Sequence, residues 1–252
     1  MSDAPVPSPS LASAEPGGPE GHAGDEVWCV VVAAGSGARF GRPKQYDDLA
    51  GHRVLDRSVA TAATVCDGVV VVVPPDAIGT AEAEVPGADV VVAGGATRTE
   101  SGRAGLEAVP RGAGVVLVHD AARPLATADL YRRVVAVVRG GADAVVPVVP
   151  VVDTIRSLDG GVVDRDRLRA VQTPQGFRAA TLRAAHVAGR GLGRDATDDA
   201  GLVEAEGVAV TLVEGEAGNL KITRPADLVV AAALLSIAPP PTMAPSTEGS
   251  AR

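Results

Sequence analysis

Short Val-rich runs alternate along this chain with segments whose apolar residues recur every three or four positions. The runs Val27–Ala33, Gly68–Val73, Asp89–Ala93, Val115–His119, Ala144–Pro147 and Val208–Val213 predict strands. Several are apolar without interruption, the pattern of strands buried on both faces rather than on one. The periodic segments Val54–Val65, Thr99–Ala108, Ala128–Arg139, Arg178–Ala188, Thr197–Ala205 and Ala226–Ser236 predict helices. Thr127 suits the N-cap of the third, and Pro225 suits the first turn of the last. Strand and helix in strict alternation predict an α/β sandwich with a mostly parallel sheet.

The rhythm breaks between residues 149 and 171. There Ser157-Leu158 and Val162-Val163 flank Gly160-Gly161, followed by the charged stretch Asp164-Arg165-Asp166-Arg167. Two short apolar runs around a two-glycine turn read as a β-hairpin arm. An arm leaving the main sheet must bury its apolar side somewhere; a second subunit would serve, and an ordinary surface hairpin is equally open at this point. Residues 1–25 are rich in Pro, Ser, Ala and Gly and hold no Lys or Arg. They lack the basic start and apolar stretch of a signal peptide and the arginines of a transit peptide, and read as a disordered tail. Residues 238–252 read the same way, which leaves one domain over residues 26–237.

Composition narrows the picture. The chain is 46% hydrophobic but only 2% aromatic, so its core must be built from Val, Ala, Leu and Ile. The net charge of −8, with no basic block, argues against nucleic-acid polymers and anionic membranes as partners. Runs such as Val69–Val73 are too short to span a bilayer. Cys29 and Cys66 have neither metal-binding spacing nor a secreted disulfide pattern, so a cytoplasmic location is expected.

The candidate chemistry lies where predicted strands end, the usual ligand side of α/β folds. Lys44 and Lys221 are the only lysines among 23 Lys and Arg residues. A lysine that escapes such a bias marks a place suited to a compact, rotatable ammonium. Lys44 follows the glycine loop Ala33-Ala34-Gly35-Ser36-Gly37, where small residues let backbone N–H groups approach a phosphate, with Arg39 between them. Neither the P-loop nor the dinucleotide glycine spacing is present, Phe40 standing where the latter needs glycine. The fourth predicted strand ends in His119-Asp120-Ala121-Ala122-Arg123-Pro124. Asp120 is a natural oxygen ligand for Mg²⁺ and Arg123 a candidate phosphate fork, while a structural Asp120–Arg123 pair is the plain alternative. His119 reads as a packed residue. The stretch Gly94-Gly95-Ala96-Thr97-Arg98-Thr99-Glu100-Ser101 offers groups for a nucleobase edge. Gln172-Thr173-Pro174-Gln175 reads as a proline turn, and Thr197-Asp198-Asp199-Ala200 as a capped helix start.

Taken in order, these motifs resemble the 2-C-methyl-D-erythritol 4-phosphate cytidylyltransferase family. The set is Ala33-Ala34-Gly35-x-Gly37-x-Arg39, Pro43-Lys44-Gln45, Gly94-Gly95-x-x-Arg98, His119 to Pro124, Asp153-Thr154, Gln172 to Gln175, Thr197 to Ala200, and Asn219-x-Lys221-x-Thr223-x-Pro225. It covers roughly residues 27–236. The resemblance implies a Rossmann-like, nucleotidyltransferase-type three-layer sandwich. It implies a Mg²⁺-dependent transfer of CMP from CTP to 2-C-methyl-D-erythritol 4-phosphate, with release of pyrophosphate, in isoprenoid precursor synthesis. It further implies that Arg39 and Lys44 stabilise the transition state, and that Lys221 and Arg165 position the attacking phosphate. Arg123, Thr154 and Thr197 would contact the acceptor. Ala33, Ala34, Gly35, Gly37, Gly95 and Ser101 would hold the nucleotide, Ala121 would also bind substrate, and Asp120 would lie near metal and ribose. The arm would build a homodimer and lend Thr154 and Arg165 to the partner's site. Transfer to ribitol 5-phosphate is the nearest alternative, disfavoured by Ala121-Ala122 between Asp120 and Arg123; a nucleotide-binding homologue without catalysis is a second.

Overall fold

The computed structural model describes residues 24–35, 37, 40–191 and 196–237. The expected tails therefore lie outside the described residues, apart from residues 24 and 25. Elements run in the order β1 (Val27–Val32), β2 (Asp48–Leu49), β3 (His52–Arg53), α1 (Val54–Ala63), β4 (Gly68–Val73), β5 (Val90–Ala93), α2 (Arg98–Ala108), β6 (Val115–Asp120), α3 (Ala128–Arg139) and β7 (Ala144–Pro150). Then follow β8 (Ile155–Arg156), β9 (Val162–Val163), β10 (Arg169–Val171), β11 (Gln175–Arg178), α4 (Ala179–Gly191), α5 (Asp199–Ala205), β12 (Val210–Glu214) and α6 (Pro225–Ile237).

The expected mostly parallel sheet is present. β5, β4, β1 and β6 lie side by side and parallel, with Val30 opposite Val70 on one side and Val118 on the other. β11 enters antiparallel between β6 and β7, and β12 runs parallel to β7 at the far side. The side-chain period of two divides the valines between two cores. Cys29, Val31, Val69, Val71 and Leu117 face α1 and α3, whereas Val30, Val70, Val72, Val116 and Val118 face α2, α4 and α5. On α3 the buried positions Leu130, Tyr131, Val134, Val135 and Val138 form one stripe, and Thr127 caps the helix by accepting the Leu130 N–H at 3.2 Å. Each buried valine or leucine contributes about 1.5–3 kcal/mol relative to exposure, which is how a core almost without aromatics suffices.

The Gln172–Phe177 stretch is where pattern and structure part. It reads as a turn, yet two strands flank its cis Thr173–Pro174 bond. β10 pairs with the end of β7, Val171 opposite Val148, and β11 pairs with its start, Gly176 opposite Val145. Gln172 still donates its N–H to the Pro147 carbonyl at 2.8 Å, and the chain then bulges out of the ladder at Thr173 and Pro174, proline having no N–H to contribute. That bulge carries Gln172 and Thr173 under the carboxyl ends of β1 and β6. The arm is a hairpin as expected, with Ile155 opposite Val163 and Arg156 opposite Val162. Its Val152, Leu158 and Val162 are 79%, 105% and 63% exposed, whereas Ile155, Val163 and Leu168 are half-buried, so part of the arm's apolar side is uncovered.

Candidate active site

A cleft of about 570 Å³ opens over the carboxyl ends of β1 and β6. One wall is the loop after β1. Gly37 takes a left-handed φ of 68°, and a Cβ there would stand 1.9 Å from the Arg42 carbonyl oxygen, so only glycine fits. The Gly37 carbonyl receives the Phe40 and Gly41 N–H groups, closing a tight turn that leads to a short 3₁₀ helix over Lys44–Tyr46. Buried Gln45 fastens this helix to the loop by donating to the Gly35 carbonyl at 3.3 Å. Lys44 lines the cleft beside it.

The floor is the end of β6. Asp120 places Oδ2 2.6 Å from the Lys221 ammonium and Oδ1 3.7 Å from the Arg98 guanidinium. Burial alone would raise its carboxyl; Arg98, Lys221 and Arg123 overcome that and hold it well below the usual carboxylate range. Behind it, His119 is fully buried and its pKa is pushed down to about 4, chiefly by desolvation. The Arg123 carbonyl can only accept, so His119 Nε2, 3.2 Å away, carries the ring hydrogen. Nδ1 then accepts from the Thr173 hydroxyl at 3.1 Å, and the oxygen of that hydroxyl accepts the Asp120 N–H, also at 3.1 Å. His119 is thus a neutral support, as its setting in the sequence suggests.

The third wall is the chain leading into α6. Ile222 N–H donates to the Ala122 carbonyl, and Arg123 donates through Nη1 to the Asn219 carbonyl at 2.8 Å and through Nη2 to the Val171 carbonyl at 3.0 Å. Arg123 therefore ties three loops together at the rim of the cleft. Asp227 accepts the Arg224 and Thr223 N–H groups, both at 2.7 Å, which hold its carboxyl low, with the charge of Lys44 adding to the effect. The fourth wall is the start of α5. Asp198 caps the helix through the Gly201 N–H at 3.0 Å, and its other oxygen takes the Gln175 amide at 2.7 Å.

A cleft with glycine-loop amides, two lysines and a strand-end carboxylate suits a nucleoside polyphosphate and a second anionic substrate. Comparison with known proteins gives the family. The family model for 2-C-methyl-D-erythritol 4-phosphate cytidylyltransferase matches residues 27–237. The chain belongs to this family. A relative of that name from Rhodococcus jostii is 49% identical over 218 residues, covering 83% of this chain and 95% of the relative. Another from Frankia casuarinae is 46% identical over 245 residues, covering 91% and 90%. The crystal structure of the Thermus thermophilus cytidylyltransferase superposes with a TM-score of 0.73 at 40% identity, covering 84% of this chain and all of that one.

Within this cytidylyltransferase fold, Ala33, Gly35, Gly37, Lys44, Asp120, Ala121, Arg123, Thr197 and Lys221 all line the one cleft. Ala34, Gly95 and Ser101 gather beside it, at the ends of β1 and β5. The Ser101 hydroxyl accepts the Gly95 N–H at 3.2 Å, and a Cβ on Gly94 would strike that of Ala34. Thr154 and Arg165 are not brought to the cleft within the chain: both are exposed on the arm, Arg165 donating to the Val152 carbonyl. Arg39 lies outside the described residues. Among the described residues no three His, Cys, Asp or Glu side chains converge to hold a metal, and no helix is long and apolar enough to cross a membrane. Arg98, Gln175 and Asp198 also line the cleft and were not expected to. The signal for Arg98 was available: it follows a glycine pair at a strand end, as Lys44 follows one after β1.

Proposed function

We propose that this chain transfers CMP from CTP to 2-C-methyl-D-erythritol 4-phosphate. A phosphate oxygen of the acceptor attacks the α-phosphorus; the bond from that phosphorus to the pyrophosphate oxygen breaks, and pyrophosphate leaves with the electron pair. The observation that carries the reading is the meeting of the chain's only two lysines, the β1 glycine loop and Asp120 around one cleft. Such a displacement asks the protein for alignment and for charge stabilisation rather than for a covalent intermediate. Lys44, with Arg39, stabilises charge on the transferring group. Lys221 and Arg165 hold the acceptor phosphate, and Thr154, Thr197 and Arg123 complete its surroundings. Ala33, Ala34, Gly35, Gly37, Gly95, Ser101 and Ala121 hold the nucleotide.

The donor set suits Mg²⁺. That ion binds through one or two carboxylates plus substrate phosphates and keeps several waters. Asp120 offers one such carboxylate at the floor of the cleft, so a three-residue cage is unnecessary. The ion would supply charge neutralisation at the phosphates. The arm implies a homodimer: its uncovered Val152, Leu158 and Val162 need a surface, and only another chain can bring Thr154 and Arg165 to a cleft they do not reach at home.

A pyrophosphate-release assay tests the reading, with CTP and either 2-C-methyl-D-erythritol 4-phosphate or ribitol 5-phosphate, each with and without Mg²⁺. Release only with the methylerythritol phosphate and the metal is expected. Equal or greater release with ribitol 5-phosphate would overturn the acceptor assignment, and none with either would overturn the reaction.

A further inference from the structure

Behind the cleft floor runs a line of charges whose inner members, Arg98, Asp199 and His186, the proposed chemistry does not use. Arg98, the first residue of α2, spans two carboxylates: Nε is 3.7 Å from Asp120 Oδ1, and Nη1 is 2.9 Å from Asp199 Oδ2. Asp199 is 1% exposed, and its other oxygen is 2.9 Å from Nε2 of His186, itself 3% exposed, on α4. Burial would raise the Asp199 carboxyl, but Arg98 and His186 hold it low. The line therefore runs from the interior to the cleft: His186, Asp199, Arg98, Asp120, Lys221.

The packing makes room for it. A Cβ on Gly102, one turn along α2, would lie 2.9 Å from Asp199 Oδ1 and 3.0 Å from Arg98 Nη1. Thr99 stitches the same turn to the residues before α5, its hydroxyl accepting the Ala196 N–H at 3.0 Å. Arg98 is thus pinned at its inner end, and its outer end faces Asp120 at a distance too long for a hydrogen bond. A guanidinium held in this way restrains the Asp120 carboxylate without capping it. A lysine could not span both carboxylates, because its charge sits on one compact head.

We propose that Arg98, anchored by Asp199 and His186, is a positioning residue that aims the Asp120 carboxylate into the nucleotide cleft. The proposal rests on the cytidylyltransferase reading for the identity of the nucleotide. Asp120 is faced by Arg98 from α2, Lys221 from the loop before α6, and Arg123 from its own loop; Asp198 also faces Arg98.

The obvious variant, Arg98→Gln, leaves Asp199 as a buried carboxylate without its cation and will destabilise the fold whatever else Arg98 does. The decisive protein is the double variant Arg98→Gln/Asp199→Asn, in which both charges of the pair are gone. Melting temperature, turnover of CTP with methylerythritol phosphate, and CTP affinity by calorimetry with Mg²⁺ are measured together. The expected result is a melting temperature recovered toward wild type, with kcat/KM still lower and CTP bound more weakly. Loss of an outer partner of this kind costs about 10–100-fold in activity or metal affinity. Recovery of stability, turnover and CTP affinity together would show that Arg98 only neutralises Asp199, and would overturn the proposal. Should wild type itself show no turnover, the functional reading fails separately, and CTP affinity decides this one: weaker binding by the double variant supports it, and equal binding overturns it.

Discussion

The cleft and the arm carry cationic residues of the same expected purpose, yet the fold treats them differently. In the cleft, Lys221 and Arg98 are set against the Asp120 carboxylate, which is rooted in the central sheet and backed by His119 and Thr173. On the arm, Arg165 donates to the Val152 carbonyl, and Thr154 stands exposed on the same arm as the exposed Val152, Leu158 and Val162. One set is placed by a chain acting alone. The other, under the proposed homodimer, would meet a second chain's cleft. A site built in that way would link activity to assembly.

The largest expected effect tests the cleft half. Lys44→Ala should lower turnover by about 100-fold or more, the usual range for one preorganised charge at a reacting centre, while CTP affinity falls much less. Equal losses in both would mean that Lys44 serves ground-state binding. Lys221→Ala should raise the KM for the acceptor as well as lower turnover, and leave CTP affinity near wild type in calorimetry.

Next comes a difference in pH response. In the unfolded chain His119 takes a proton near its ordinary value of 6.5, whereas in the fold it resists until about 4. Between those values the unfolded state binds more protons, so stability falls as the pH drops through that window, by roughly 3 kcal/mol in all. The depressed Asp120 and Asp199 carboxyls act elsewhere: their contribution is present above the ordinary value of 3.8 and is lost only below it. Urea denaturation at pH 7 and pH 4.5 should therefore show a drop in wild type that is much smaller in His119→Gln. An unchanged slope in the variant would remove His119 from the account. The arm, with no buried titratable group of this kind among the described residues, should show no such response.

The smallest effect concerns the arm's apolar side. Leu158→Glu should weaken self-association by about ten-fold or more, since burying a leucine contributes about 1.5–3 kcal/mol. The melting temperature of the dissociated chain should stay within a few degrees, as Leu158 touches no core. Unchanged sedimentation at micromolar concentration would count against the arm as an interface.

How far these regions could be foreseen differs too. The parallel sheet was legible because stretches such as Gly68–Val73 are apolar at every position, and a strand buried on both faces needs that. Asp120 was legible because it stands just past a predicted strand, and Lys44 because it is one of two lysines and follows the glycine loop. β10 and β11 were not, because three or four residues broken by Pro174 show no period, and their pairing depends on β6 and β7. Asp198 was hidden for another reason. It sits at a helix start where a capping role accounts for the local sequence, and it does cap α5. Its place beside Arg98 emerges only when α2, α4 and α5 are packed against the end of β6. The hairpin was visible from its two glycines, but nothing in a single chain tells what its exposed face meets.

The most direct test of a site completed by a second chain is subunit complementation. Lys44→Ala and Arg165→Ala proteins, each nearly inactive, are mixed and allowed to exchange. In a symmetric dimer with shared sites, each hybrid keeps one intact site, and activity should rise to about one quarter of wild type after random exchange. Activity that stays at the parental level after exchange is verified by mass would show that Arg165 serves its own chain's cleft or none.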